Sequence, residues 1–249
     1  MKRIILLAGL LAAAQAASAQ TLRWRLKVGA GVTVATTSEL APRVFYPSTS
    51  PYPVFDLADP YAYKAVLQPG GSAGLAAHWQ SATHWGLGAE LLACHEPLRL
   101  ERRTLPLPNE LNHNDDPRTY RYRLPKLALP VYVSYRAGRA WQLRAGASPA
   151  VPLGRQVRIT GGQEPPLVNG QVVATPLDIK TTDTNLRTLN WRLLLGVQYE
   201  LTPVAALELS VLPAVTELTD TEQRAGLLVR RHLRQHALSL GVSYALGRR

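Results

Sequence analysis

Six histidines, one cysteine and a surplus of arginine carry most of this chain's capacity for chemistry. His78, His84, His95, His113, His232 and His236 lack the His-Glu-x-x-His spacing that would set two imidazoles on one helix face around a metal. Gly70-Gly71-Ser72-Ala73-Gly74 matches the Gly-x-Ser-x-Gly pattern, but it runs straight into the two-residue alternation from Ala73 to Trp79 and not into a helix, so it is not the strand-to-helix elbow that presents a serine nucleophile. Cys94 stands alone, whereas thiolate zinc and iron-sulfur sites need two or more cysteines at defined spacing. A small buried packing role suits it better than a reactive thiol. No catalytic residue, metal site or cofactor is therefore expected. Lys27, Glu90, Arg144 and Glu208 read differently, because such charges must be paired or hydrated once they are buried. Arg99, Arg103, Arg121 and Arg123 are planar forks suited to bidentate contact with phosphate oxygens. What either set does depends on the elements that carry it.

The chain has 249 residues, 46% apolar and 18% charged, with a formal charge of +11. That composition excludes a disordered tail protein. Lys2 and Arg3 precede an apolar run from Ile4 to Ala14, then Ala17-Ser18-Ala19 before Gln20. This is the layout of a secretory signal peptide over residues 1–19, too short for a membrane-spanning helix. Its removal takes two cations and no acid, leaving +9 on residues 20–249. No later stretch approaches 18 consecutive apolar residues, so the mature chain would cross a bilayer only as a closed barrel of strands. Strands of that kind alternate apolar and polar side chains, and parity is the test.

Between residues 23 and 34 the alternation is complete, with Trp24, Leu26, Val28, Ala30, Val32 and Val34 set against Arg23, Arg25, Lys27, Gly29, Gly31 and Thr33. Seven further segments repeat it. Their apolar sides run through Ala73 to Trp79, Trp85 to Ala93, Leu127 to Tyr135, Trp141 to Val151, Leu189 to Tyr199, Leu207 to Val211 and Leu238 to Leu246. The fold class expected is all-β: an eight-stranded antiparallel up-and-down transmembrane β-barrel in the outer membrane of a Gram-negative cell.

Connection lengths agree. Segments 36–69, 96–119, 154–187 and 216–231 are long, while 80–84, 136–140 and 200–204 are five-residue turns, the alternation of extracellular loops and periplasmic turns. The sequence around Asn169-Gly170 reads as a small hairpin inside the third loop. Trp24, Trp79, Trp85, Tyr135, Trp141, Tyr199 and Tyr244 share outward parity beside the short turns, as an interfacial girdle requires. A soluble barrel of the lipocalin kind would turn its larger apolar side chains inward, and a two-sheet sandwich has no reason for the girdle or the loop alternation.

On this layout Lys27, Glu90, Arg144 and Glu208 fall on the lumen side at similar height and form an ion-pair network that plugs the bore. Arg99, Arg103, Arg121 and Arg123, joined by Arg155, Arg187 and Arg234, continue the outward parity above the apolar band. There they make a rim for outer-membrane lipids and lipopolysaccharide. The long connections 36–69 and 154–187 are the expected contacts for a protein partner. Nucleic acid is not an expected partner, because the cations are scattered over strand ends and lumen without a binding module. The functional reading is a non-enzymatic barrel for surface contact or assembly. The alternative is a lipid A-modifying enzyme built on His236 with Glu222 or Ser210, although Ser210 has lumen parity.

The stretches Lys27–Val34 (KVGAGVTV), Gly70–Trp79 (GGSAGLAAHW), Leu127–Arg136 (LALPVYVSYR), Leu143–Gly154 (LRAGASPAVPLG), Leu193–Leu201 (LLLGVQYEL) and Leu238–Gly247 (LSLGVSYALG) together resemble the PorT-like outer-membrane β-barrel family of Bacteroidota. The Leu129-Pro130 strand is the most telling element. The resemblance spans the strands and little of the loops, and it implies an outer-membrane barrel.

Overall fold

The computed structural model describes residues 21–37, 61–81, 84–104, 118–164, 167–168, 171–172, 175–183, 186–219, 222–224, 227–229 and 233–246. Residues 1–19, where the signal peptide is expected, and most of segment 36–69 lie outside them. Eight strands form the wall: β1 (Thr21–Thr37), β2 (Gln68–Gln80), β3 (Trp85–His95), β4 (Pro125–Ala128 continued by Val131–Ala137), β5 (Trp141–Pro152), β6 (Asn190–Glu200), β7 (Ala205–Leu212) and β8 (Leu233–Leu246).

β4 is one strand despite the break at Leu129-Pro130. Leu92↔Ala128 and Ala89↔Val131 keep the same register against β3 on the two sides of the break. Proline removes a donor but leaves its carbonyl, and the Pro130 oxygen accepts from Glu90 N at 2.8 Å. Each strand pairs antiparallel with the next, and β8 returns to β1 through Trp24↔Leu246 to Thr37↔Leu233. No edge is left unpaired in the wall, which the hydrocarbon interior of a bilayer requires.

The register fixes the shape. Stepping across paired residues from Leu22 leads to Trp79, Leu87, Val133, Ala145, Leu195, Val211 and Leu238, and then back to β1 at Val32, ten residues further along. Ten residues of rise against eight strand spacings is about 33 Å over about 38 Å of girth, a tilt of about 40°. A barrel of that size encloses only side chains.

Burial follows the parity. On β6, Trp191, Leu193 and Leu195 are exposed while Asn190, Arg192, Leu194 and Gln198 are buried. The exposed face is the lipid-facing one. At the short-turn end the girdle interlocks, with Trp85 against Tyr135 at 5.0 Å between ring centroids and Trp141 against Tyr199 at 4.7 Å. The β4–β5 turn holds Gly138 at φ 91°, a conformation that disfavours a Cβ.

The long connections differ from plain loops. Tyr61–Val66, Leu98–Thr104, Arg118–Arg123, Gln156–Glu164 and Thr175–Thr182 form a five-stranded sheet that prolongs β2 to β6 beyond the apolar band. Its inward side supplies an apolar cluster of Leu98, Leu100, Tyr122 and Val157. Ala35, Leu124, Leu186, Leu218 and Leu233 join it, all buried. Leu167–Val168 pairs with Gln171–Val172 in the third connection, where the small hairpin was expected; its turn, 169–170, lies outside the described residues.

Candidate functional site: a charge-paired lumen and a basic outer face

Inward parity brings the four lumen residues together at mid-height. Lys27 Nζ lies 2.6 Å from Glu90 Oε1 and 2.5 Å from Glu208 Oε2, while Arg144 Nη1 lies 3.2 Å and 2.9 Å from the same two oxygens. The cluster is two cations on two carboxylates, with no net charge. Arg144 also donates to Ser210 Oγ at 3.2 Å, and its guanidinium stands 5.2 Å from the centre of the Tyr132 ring. Glycine makes this possible, since Tyr132 pairs across the sheet with Gly88 on one side and Gly146 on the other. A Cβ at Gly88 would lie 2.3 Å from the ring. The ring lies against bare wall and leaves the bore to the arginine.

Toward the short-turn end a second layer holds Arg25, whose guanidinium donates to Ser243 Oγ at 3.2 Å and Glu200 Oε1 at 3.3 Å. Arg136 reaches Glu200 Oε2 at 3.3 Å. His78 meets Ser134 Oγ at 3.0 Å and Gln142 at 2.9 Å. Toward the end that carries the five-stranded sheet a third layer joins Glu96, Lys126, Arg192 and Gln235. Arg192 Nη1 donates to Glu96 Oε1 at 2.8 Å and its Nη2 contacts Glu96 Oε2; Lys126 Nζ lies 3.1 Å from Glu96 and also donates to Gln235. Between this third layer and the central one lies a cavity of about 80 Å³, walled by Gly29, Gly31 and Gly241 together with Glu90, Glu96 and Arg192. The apolar cluster of Leu98, Leu124 and Leu186 covers the top.

Sequence reasoning left this third layer out of the network. Glu96 falls just past β3 and reads as loop, yet the inward series Glu90, Leu92, Cys94 runs on into it. Continuing that parity past the strand end was the available signal. Cys94 is buried against Ala128 and Ala150.

The four rim arginines stand on the extramembrane sheet. Arg121 and Arg123 are exposed, and Arg99 faces Arg121 across the sheet and lies 2.9 Å from Glu101. Arg103 is on the same strand, but its side chain lies outside the described residues. The expectation for Arg155 needs correction. Leu127↔Val151 and Arg123↔Gln156 differ by one residue of register, a bulge at Leu153 to Arg155 that resets parity. The outward side chain beyond it is Arg158, which pairs with Arg121 on one side and Lys180 on the other. Arg158 and Lys180 are the members sequence parity missed. Hydrogen bonds from Arg158 to Asp178, at 2.8 Å and 2.7 Å, hold that carboxyl below its usual range. Arg187 has its Nε buried rather than displayed outward.

Among the described residues, Ser210 and His236 hold different partners. Ser210 points into the lumen and is engaged by Arg144. His236 instead accepts from Ala214 N at 3.1 Å and lies 3.0 Å from Thr36 Oγ1. The Glu222 side chain is outside the described residues.

Crystal structures similar to the chain include Neisserial surface protein A, at 11% identity and TM-score 0.39, covering 90% of this chain and 97% of that one. Another is Ail, the attachment invasion locus protein of Yersinia pestis, in complex with the heparin analogue sucrose octasulfate, at 8% identity and TM-score 0.39, covering 90% and 99%. The outer membrane protein OprG of Pseudomonas aeruginosa matches at 10% identity and TM-score 0.34, covering 90% and 96%. No sequence among the curated proteins matches. The family model described as outer membrane protein beta-barrel domain matches residues 13–220. With its wall closed, its apolar side outward and most of its length matched, the chain belongs to the outer-membrane β-barrel domain family and resides in the outer membrane of a Gram-negative cell.

Proposed function

We propose that this protein is a sealed, non-enzymatic outer-membrane barrel that acts through the sheet and connections it holds outside the cell, in surface contact or assembly. The observation that carries the reading is the three-layered lumen. Its central layer, Lys27 and Arg144 against Glu90 and Glu208, joins β1, β3, β5 and β7 across the bore. An apolar lid then covers the outer end. Opening such a bore for solute means separating buried ion pairs, which is costly when a charge is left without its partner.

Segments 36–69 and 154–187, the second carrying part of the extramembrane sheet, are the contact elements for a protein partner. Residues 1–19 act as the export signal. Within the family, the Leu129-Pro130 strand and the glycine-bearing β1 and β2 support a PorT-like assignment. Proteoliposome swelling with small sugars and amino acids tests the sealed bore, and lipid A mass spectrometry with and without expression tests the absence of lipid modification. No swelling above empty liposomes and unchanged lipid A masses are expected. Rapid solute entry overturns the sealed reading, and a new lipid A species overturns the non-enzymatic one.

A further inference from the structure

A row of four cations crosses the extramembrane sheet at one level: Arg99↔Arg121, Arg121↔Arg158 and Arg158↔Lys180 are each direct cross-strand pairs. Like charges set directly opposite destabilise a sheet, so a row of this kind calls for anionic neighbours. The acids within reach do not supply them evenly. Glu101 engages Arg99 at 2.9 Å and Asp178 engages Arg158 at 2.8 Å and 2.7 Å. Both acids stand one step farther from the membrane, at the level of Thr119 and Thr160. Among the described residues Arg121 and Arg123 make no ion pair and no hydrogen bond. They line a shallow groove with Gln156, Arg158, Lys180 and Thr182.

The height of this groove says what would occupy it. Arg123 follows Pro125 and Leu127 in outward parity on the same line of chain, and Leu127, Val151 and Leu153 are exposed apolar residues of the lipid-facing wall. Four residues of strand separate Arg123 from Leu127, about 13 Å along the strand, or about 10 Å of height at the barrel's tilt. That is headgroup level. We propose that the outward face of this sheet is a binding site for the phosphorylated headgroups of outer-leaflet lipid, with the Arg121 and Arg123 guanidinium forks on the phosphate oxygens and Arg158 and Lys180 flanking them. Acyl chains of the same molecule lie along Leu127, Leu129, Val151 and Leu153. Continuity with the apolar wall favours a lipid over a soluble anion. The proposal rests on the reading that this sheet stands outside the cell, and it adds Arg158 and Lys180 to the expected rim.

The test uses the full-length protein folded in neutral detergent micelles. The readout is the unfolding midpoint by heat-modifiable gel mobility during titration with bis-phosphorylated lipid A, the same lipid dephosphorylated, or sodium pyrophosphate. The phosphorylated lipid is expected to raise the midpoint, with dephosphorylated lipid and pyrophosphate at least tenfold less effective. Arg121→Gln/Arg123→Gln is expected to weaken the lipid's effect at least tenfold, whereas Arg139→Gln, in the exposed β4–β5 turn at the opposite end, leaves it unchanged. If the double variant does not fold, Lys180→Gln on the last strand of the sheet carries the same test, with a loss of about threefold. Equal titration by variant and wild type overturns the site. Equal potency of the dephosphorylated lipid, or of pyrophosphate, overturns the lipid-phosphate assignment. Solute swelling of proteoliposomes does not depend on these arginines, so failure here and failure of the sealed bore are separate results.

Discussion

Glu90 is the residue on which the central layer turns, since its Oε1 meets both Lys27 Nζ at 2.6 Å and Arg144 Nη1 at 3.2 Å. Glu90→Gln keeps the shape and removes the charge, leaving two buried cations on Glu208. Breaking a buried pair on one side costs about 3 kcal/mol or more, and urea unfolding of the folded protein in bilayers measures it. Lys27→Met/Glu90→Gln restores the balance around Arg144 and Glu208 and is expected to recover a good part of that loss. An unaltered Glu90→Gln would remove the energetic role given to the cluster. Lys27, Glu90, Arg144 and Glu208 were readable in the sequence because a two-residue period places a side chain inside or outside without reference to loops. Glu96 and Gln235 were not readable as partners, because their meeting depends on which residues face one another across the bore.

At the scale of elements, the wall was legible and the sheet above it was not. Inside the bilayer the outward positions are apolar, as Leu193, Leu195 and Leu240 are. Beyond it the surrounding solvent becomes water and the preference inverts. Leu98 and Leu100 keep the inward parity of Glu90 and Cys94 but are now the apolar members, with Arg99 and Glu101 outside. In sequence this reversal resembles the end of a strand, although the backbone continues. The bulge at Leu153 to Arg155 hid Arg158 in the same way. The lid these strands form can be weakened separately from the wall. Leu98 is 1% and Leu124 0% exposed, and Leu→Ala at such sites costs about 3 kcal/mol. Leu98→Ala and Leu124→Ala are expected to expose segments 98–104 and 118–123 to protease while heat-modifiable mobility persists. Loss of mobility in both variants would mean that lid and wall unfold as one unit.

At the scale of the molecule, closure and charge pairing act together. Eight strands with a ten-residue stagger leave a bore that side chains can fill, and Tyr132, Arg144 and the three charge layers fill it. The wall supplies the barrier to lipid, and on the proposed reading the ion pairs supply the barrier to solute. Planar-bilayer recording of the purified full-length protein addresses both at once, because one inserted molecule either carries current or does not. A flat trace at 100 mV in wild type, with steps appearing only when Lys27, Glu90, Arg144 and Glu208 are all replaced by serine, is the result expected of a bore closed by that cluster. Regular single-channel steps in wild type would contradict it.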